Sequence, residues 1–444
     1  MRNSGQLRKR IFGENLRATT TITVTAILLL ALSGFATSSA HAQTFTVIHN
    51  FTGPDGANPP AGLIMDRAGD LYGTTAYGGA FSCISGGCGT VFKLTHRGSG
   101  WVLTQLYAFR GNQDGSHPGA RIVFGPDGAL YGTTESGASG GGTVFKLQPP
   151  ASVCPSISCP WTKTILYSFE LEDQTTGFIP TGDLAFDAAG NIYGTNEYGG
   201  GSLYCNGPGC GLVYQLTESG GTWTENVLHA FTGGSDGASP MSGVIFDQAG
   251  NLYGTAFSTG SLRPNAGTVF KLSPSGSSWT ETTLYQFHDS GDGGYPGGGL
   301  IFDSAGNLYG TTVSGGSGGG GTVFELLPSA DNWSFNLLYS LSGNPMDFGP
   351  YGKLVMDSAG NLYGTTVYGG AHNWGSVFKL TPSNGGWIYT DLYDFANYSD
   401  GAFPYDGLVV DANGNIYGTA EAADNGGQGC GVGLGCGTVW EITP

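Results

Sequence analysis

Seven times along this chain a glycine-led turn runs directly into a short strand that begins Leu-Tyr-Gly, Ile-Tyr-Gly or a close relative. The copies are Gly69-Asp70-Leu71-Tyr72-Gly73, Gly128-Ala129-Leu130-Tyr131-Gly132, Gly190-Asn191-Ile192-Tyr193-Gly194 and Gly250-Asn251-Leu252-Tyr253-Gly254. They continue as Gly306-Asn307-Leu308-Tyr309-Gly310, Gly360-Asn361-Leu362-Tyr363-Gly364 and Gly414-Asn415-Ile416-Tyr417-Gly418. The tyrosines are 59, 62, 60, 56, 54 and 54 residues apart. Such self-similarity marks a repeat architecture, in which one unit cannot bury its apolar surface alone and must be stacked on its neighbours. It overrides the two or three domains that length alone would suggest.

Each copy contains four strand-like runs. The first is Gly299-Leu300-Ile301-Phe302-Asp303, with counterparts at 62–66, 183–187, 243–247, 353–357 and 407–411, and one at 121–125 that ends in Gly125. The second is the Leu-Tyr-Gly-Thr run. The third is Gly267-Thr268-Val269-Phe270-Lys271-Leu272, repeated at 89–94, 142–147, 211–216, 321–326, 375–380 and 437–442. The fourth runs from a tryptophan to Leu-Tyr-x-Phe, as from Trp279 to Phe287. Short runs rich in β-branched and aromatic residues, bounded by Gly, Asn, Asp and Pro, read as strands. The first run is apolar at nearly every position, so both of its faces must be covered. A blade wedged between two like blades meets that requirement. The segment 44–51 matches a fourth strand, with His49 at the Tyr position and Phe51 at the Phe position. The last copy, Gly437 to Ile442, has no fourth strand after it. The expected fold is therefore all-β: a seven-bladed β-propeller of four-stranded antiparallel blades, closed by strand 44–51 joining the C-terminal blade. Closure removes the open edges that the rival architecture, an open repeat array, would keep.

Residues 1–42 read as an export signal. Arg2, Arg8, Lys9, Arg10 and Arg17 form a basic start, an apolar stretch runs from about Ile22 to Ala36, and Ala40-His41-Ala42 is a cleavage pattern. Residues 43–444 form the single propeller domain. Removing residues 1–42 takes the formal net charge from −17 to −21. A surface that acidic disfavours nucleic acid and anionic lipid as partners, and no second long apolar run places the mature chain in a membrane. The 81 glycines could signal disorder, but 12% aromatic content argues instead for many short strands joined by glycine turns. The eight cysteines fall into local pairs: Cys83 with Cys88, Cys154 with Cys159, Cys205 with Cys210, and Cys430 with Cys436. In an oxidising compartment such pairs read as disulfides. Zinc is the rival, but the C-x2-C spacing and flanking histidines it favours are missing. The expected product is a secreted or periplasmic monomer.

The G-N-L-Y-G-T-T, G-T-V-F-K-L and L-Y-x-F blocks, recurring in fixed order over nearly all of residues 44–444, resemble the GloVer-type tandem repeat of exported bacterial proteins. The resemblance implies repeat architecture and export. It carries no activity, cofactor or catalytic residue. Some members bear C-terminal surface anchors, whereas this chain reaches Pro444 without a sorting motif, spacer or apolar tail, so free secretion or a periplasmic location is expected.

In a propeller the loops after the second and fourth strands share one face. Here those after the second strand (78–88, 198–210, 258–266, 369–374 and 421–436) vary in length and hold three cysteine pairs. Variable loops on a rigid scaffold suit recognition. The loops entering the first strand carry Asp-Gly-x-x-Pro, which puts Asp55, Asp114, Asp236, Asp292 and Asp400 on that face. Such a ring could bind a polar ligand or a cation such as calcium. The competing explanation is repeated turn chemistry, in which the Asp bonds nearby backbone and the Pro opens a strand. No calcium, zinc, phosphate-loop or hydrolase motif is present, so no cofactor, metal site or catalytic residue is expected. Trp101, Trp161, Trp223, Trp279, Trp333 and Trp387 begin fourth strands and suit packing at blade edges better than sugar stacking. His117 and Arg121 break the repeat in the second copy and complete the candidate binding residues. The function that fits is a non-enzymatic binding or adhesion propeller recognising a glycan, surface polymer or protein through its loop-rich face. A polysaccharide lyase or hydrolase and a structural envelope protein are the alternatives, which fold alone does not separate.

Overall fold

The computed structural model describes residues 43–444 except 82, 84, 85, 138, 151–160, 172–174, 203, 204, 206–208, 261–265, 330, 331, 344–348, 398, 424–429 and 431–434. The expected signal peptide lies outside the described residues. Seven four-stranded antiparallel sheets form the blades of a β-propeller. Blade 1 is typical: Ile64–Met65 innermost, then Leu71–Thr75, Thr90–Arg97 and Gly100–Ala108 outermost. Blade 7 takes Val409–Val410, Ile416–Ala420 and Thr438–Thr443 from the C-terminal end and its outermost strand, Thr44–Asn50, from the other end of the chain. The pairing runs from Thr44 opposite Thr443 to Asn50 opposite Thr438. It carries the same kind of bulge that interrupts the outer strands of the other blades.

Alternation along each strand feeds two interfaces. Leu63, Leu71 and Phe92 enter the apolar cluster shared with blade 7, while Ile64, Tyr72 and Val91 enter the one shared with blade 2. One such cluster lies at each junction around the ring. The tryptophan that begins the outermost strand reaches into the preceding blade, as in Trp101 to Tyr417 at 5.7 Å and Trp333 to Tyr253 at 5.9 Å between ring centroids. The tryptophans thus serve the blade packing expected of them.

The tyrosine of the repeat also ties its own blade together. Its hydroxyl donates to the aspartate that opens the preceding turn, for example Tyr72 to Asp66 at 2.9 Å and Tyr253 to Asp247 at 3.1 Å. That aspartate meanwhile accepts the turn's backbone, Asp303 Oδ1 taking the N–H groups of Ala305 at 2.8 Å and Asn307 at 2.9 Å. Blade 2 has Gly125 where the others have this aspartate, and Asp127 takes over, accepting from Tyr131 at 3.2 Å. The turn glycine sits in the left-handed region (Gly306 at φ 89°), which explains its recurrence.

The innermost strands are shorter than the five-residue runs suggest. Their ladder holds only two pairs, as in Ile301 opposite Tyr309 and Phe302 opposite Leu308. The upstream residues bond the neighbouring blade instead. Thr195 Oγ1 donates to Ser242 O at 3.0 Å, Thr365 to Asp406 O at 3.3 Å and, across the closure, Thr419 to Ala61 O at 3.0 Å. A second clasp joins blades at Gly-Thr and Pro. A Cβ on Gly267 (φ 98°) would lie 2.4 Å from Pro296 Cδ and 2.6 Å from Ala256 O. Two small additions extend the repeat, a 3-10 turn at Asn112–Asp114 and a two-residue pairing of Gly177–Phe178 with Tyr198–Gly199.

Three of the four expected cysteine pairs, Cys83–Cys88, Cys205–Cys210 and Cys430–Cys436, are disulfides on the loop-bearing face. The fourth expected bridge, between Cys154 and Cys159, is not among them. Both Cys154 and Cys159 fall within 151–160, outside the described residues.

Removing residues 44–50 strips blade 7 of its outer strand and exposes buried Val439 and Trp440. A steep fall in melting temperature or aggregation is expected, and an unchanged melting curve would contradict closure. Gly267→Ala combines a left-handed backbone with a collision at the clasp, and should destabilise by more than about 1 kcal/mol in denaturant titration.

Candidate functional site

Because the blades repeat, residues that differ between equivalent positions stand out, and they converge on the axis. The chain enters each innermost strand through a proline. Two residues before the strand proper, the ring position nearest the axis is glycine in four blades (Gly62, Gly243, Gly299 and Gly407) and charged in three (Arg121, Asp183 and Lys353). Arg121, Asp183, Gly243, Gly299 and Lys353 of this ring line a cavity of about 330 Å³ on the axis. Its wall also includes Glu135, Thr181, Met241, Tyr351, Tyr405, Asp406 and Glu421.

The lower part of the cavity is a network of four charges. Arg121 donates to Asp183 Oδ2 from Nε at 3.1 Å and Nη2 at 2.5 Å. Asp406 Oδ2 accepts the Gly62 N–H at 2.7 Å. Lys353 lies with its stem against Gly299, whose missing side chain makes the room. Burial lowers the proton affinity of its ammonium, Asp183 raises it, Arg121 lowers it and Asp406 raises it, and the net direction is down. Among the described residues Lys353 Nζ has no hydrogen-bond or ion-pair partner. Thr181 Oγ1 is likewise buried without one.

The upper part carries carboxylates. Glu135 and Glu421 occupy the position just after Gly-Thr-Thr or Gly-Thr-Ala, where other blades have Ala76, Phe257, Val313 or Val367. Glu197 holds that position in blade 3. Their backbones are fixed by the residue before each proline, with Glu135 N–H bonded to His117 O at 3.0 Å and Glu421 N–H to Phe403 O at 3.2 Å. Burial and then Glu197 push the Glu135 carboxyl above its usual range. Burial and then Glu135 push Glu421 up to about 6. No cation bonds either carboxylate among the described residues. Tyr77 and Tyr405 are pushed up too, by burial first, then by Glu135 and Glu421 around Tyr77 and by Glu421 beside Tyr405.

Of the residues singled out in the sequence, only Arg121 reaches this cavity. His117 is four residues away in sequence but has a left-handed backbone (φ 57°), and its ring lies edge-on to Tyr77 at 5.1 Å. The five aspartates are not gathered at the axis. Each clamps its own loop to the outermost strand. Asp292 accepts Tyr285 OH at 3.0 Å and the His288 N–H at 3.1 Å, and Asp400 accepts Tyr393 OH at 3.0 Å and the Ala396 N–H at 2.8 Å. Asp114 accepts Tyr107 OH at 2.7 Å and Lys163 Nζ at 2.9 Å, and Asp55 pairs with His49 at 2.9 Å. Burial would raise the Asp236 carboxyl, but bonds from His229, Thr232 and Gly234 hold it down at about 2. Among the described residues no group of three or more His, Cys, Asp or Glu side chains could hold a metal. Sequence reading passed over Asp183, Lys353, Asp406, Glu135 and Glu421. Comparing the seven copies column by column at the two axial positions would have found all but Asp406.

A family model described as the Gloeobacter/Verrucomicrobia repeat matches residues 33–207 and 206–434. The chain belongs to this repeat family. No curated protein matches it. Among solved structures, this Gloeobacter/Verrucomicrobia repeat protein is similar to a fungal alcohol oxidase of the AA5 family in complex with copper. The identity is 12%, the match covers 91% of this chain and 77% of that one, and the TM-score is 0.53. A putative 6-phosphogluconolactonase from Bacteroides fragilis NCTC 9343 is 13% identical over 92% of this chain and 99% of its own, with a TM-score of 0.49. The likeness to the oxidase, at 12% identity, speaks for the shared propeller alone.

Glu421 links the cavity of this repeat protein to its stability. A carboxyl raised from 4.5 to about 6 favours the folded state below the lower value, and that contribution is lost as pH rises through the upper one. The loss amounts to about 2 kcal/mol. Glu421→Gln should therefore be more stable than the parent at pH 8 and equal to it at pH 4, as read by thermal unfolding at both.

Proposed function

We propose that the protein is an exported binding propeller that holds a glycan in its axial cavity, on the loop-bearing face, without transforming it. The observation that carries this reading is the set of polar groups left without partners in one cavity. Among the described residues Lys353 Nζ has no acceptor, and the Glu135 and Glu421 carboxylates have no donor. A sugar hydroxyl both donates and accepts, so one ring can satisfy both kinds of group. Tyr351 and Tyr405, 5.8 Å apart between centroids, supply aromatic surface against which the apolar face of a sugar packs. The cavity has the size and mixed lining of a small-ligand site. Export is supported by three local disulfides, which persist in oxidising compartments.

A second reading, hydrolysis or elimination on a polysaccharide, draws support from Glu421, whose carboxyl titrates near about 6 and so suits general acid–base work. The two are separable. Residues 43–444 should retain one class of oligosaccharide on a glycan array without releasing new ends. Lys353→Met and Tyr405→Ala should each weaken that retention at least about tenfold, a usual consequence of losing a polar or aromatic anchor. New reducing or unsaturated ends, abolished by Glu421→Gln, would transfer the reading to catalysis.

A further inference from the structure

We propose that the glycan bears a free, protonated amine, received between Glu135 and Glu421; the ligand class is an amino sugar. This inference rests on the glycan-binding reading above and narrows it.

Two carboxylates lining one cavity repel each other, and burial magnifies the repulsion. Such pairs are ordinarily neutralised by a protein cation. Here the cavity's two cations are placed elsewhere. Arg121 is spent on Asp183, and the charges that act on Lys353 are Asp183, Arg121 and Asp406, not the glutamates. What acts on Glu135 is burial and then Glu197, and what acts on Glu421 is burial and then Glu135. Among the described residues the upper part of the cavity is therefore anionic and uncompensated, on a protein of formal net charge −17. That field draws cations inward.

A neutral sugar would supply donors but leave the repulsion in place. An ammonium supplies three donors and a compensating charge. The aromatic setting agrees: Tyr77 lies in the field of both glutamates and Tyr405 in that of Glu421, and ring faces attract cations. Lys353, which lines the cavity below and whose Nζ has no partner among the described residues, is the independent sign that a ligand reaches this depth. It is suited to a hydroxyl oxygen on the far side of the same sugar. The arrangement thus has an orientation, with the amine toward the mouth and a hydroxyl toward Lys353.

The test is calorimetric titration of residues 43–444, at pH 7 and fixed salt, with three short β-1,4-linked oligomers: glucosamine, N-acetylglucosamine and glucose. Glucosamine is expected to bind at least about tenfold tighter than the other two. The paired substitutions Glu135→Gln and Glu421→Gln keep shape while removing charge. They should erase the preference and leave weak binding of all three, with an unfolding curve at least as stable as the parent's. Equal affinities, or preference for the acetylated or neutral oligomer, overturn the amine and leave glycan binding standing. An amine preference that survives both substitutions assigns it to diffuse surface charge and also overturns the proposal. Failure of all three oligomers, together with an empty glycan array, removes both readings.

Discussion

Each sheet in this protein is apolar on both sides, and the architecture follows from having to hide both. Leu63 and Ile64, adjacent in sequence, point into different interblade clusters. No blade can satisfy that demand without two neighbours, so the only arrangement free of a wet apolar face is a closed ring. Polar contacts then set the spacing. The Thr195 hydroxyl and the Gly267–Pro296 clasp recur at equivalent places and join successive blades, while the tyrosine–aspartate clamp holds each blade together. A repeat that carries this many duties leaves few positions free to vary.

The axial cavity uses those few. At the ring position where Gly62, Gly243 and Gly407 let adjacent backbones approach closely and Gly299 leaves room, Arg121, Asp183 and Lys353 place charge. The scaffold tolerates this because the charges sit off the interblade clusters, where no packing is lost. Glu421 is the clearest compromise. Its ionised form is disfavoured by the surroundings the ring imposes, yet the side chain faces the cavity. Destabilising groups held by an over-determined scaffold are characteristic of binding and catalytic sites.

Much of this was legible in the sequence. The count of blades, the closing strand and the packing duty of the tryptophans all follow from periodicity, because interblade contacts repeat as the residues do. The site was harder to read. Lys353 resembles a harmless replacement of glycine until the ring brings it beside Asp183 and Asp406, residues far away along the chain. His117 and Arg121 stood out together because both break the repeat, but the left-handed backbone at His117 accompanies a ring set against Tyr77, while Arg121 lines the cavity. The Asp-Gly-x-x-Pro aspartates read either as a polar-ligand ring on the loop-bearing face or as repeated turn chemistry. Their carboxylates are tethered to the Tyr or His of the outermost strand, as Asp400 is to Tyr393, and none of them lines the axial cavity.

The seam between Thr44–Asn50 and Thr438–Thr443 has a bearing on how such a chain comes to be made. These partners are separated by almost the whole polypeptide, so the ring stays unlatched until the last strand has emerged. Until then the nascent molecule carries an unpaired edge and a half-covered apolar wall, surfaces that invite association with other chains. Contacts between such distant segments also form late and slowly. Biogenesis of this molecule thus includes an interval of vulnerability whose length is set by the time its two ends need to find each other, and a chaperone acting in that interval would serve it best.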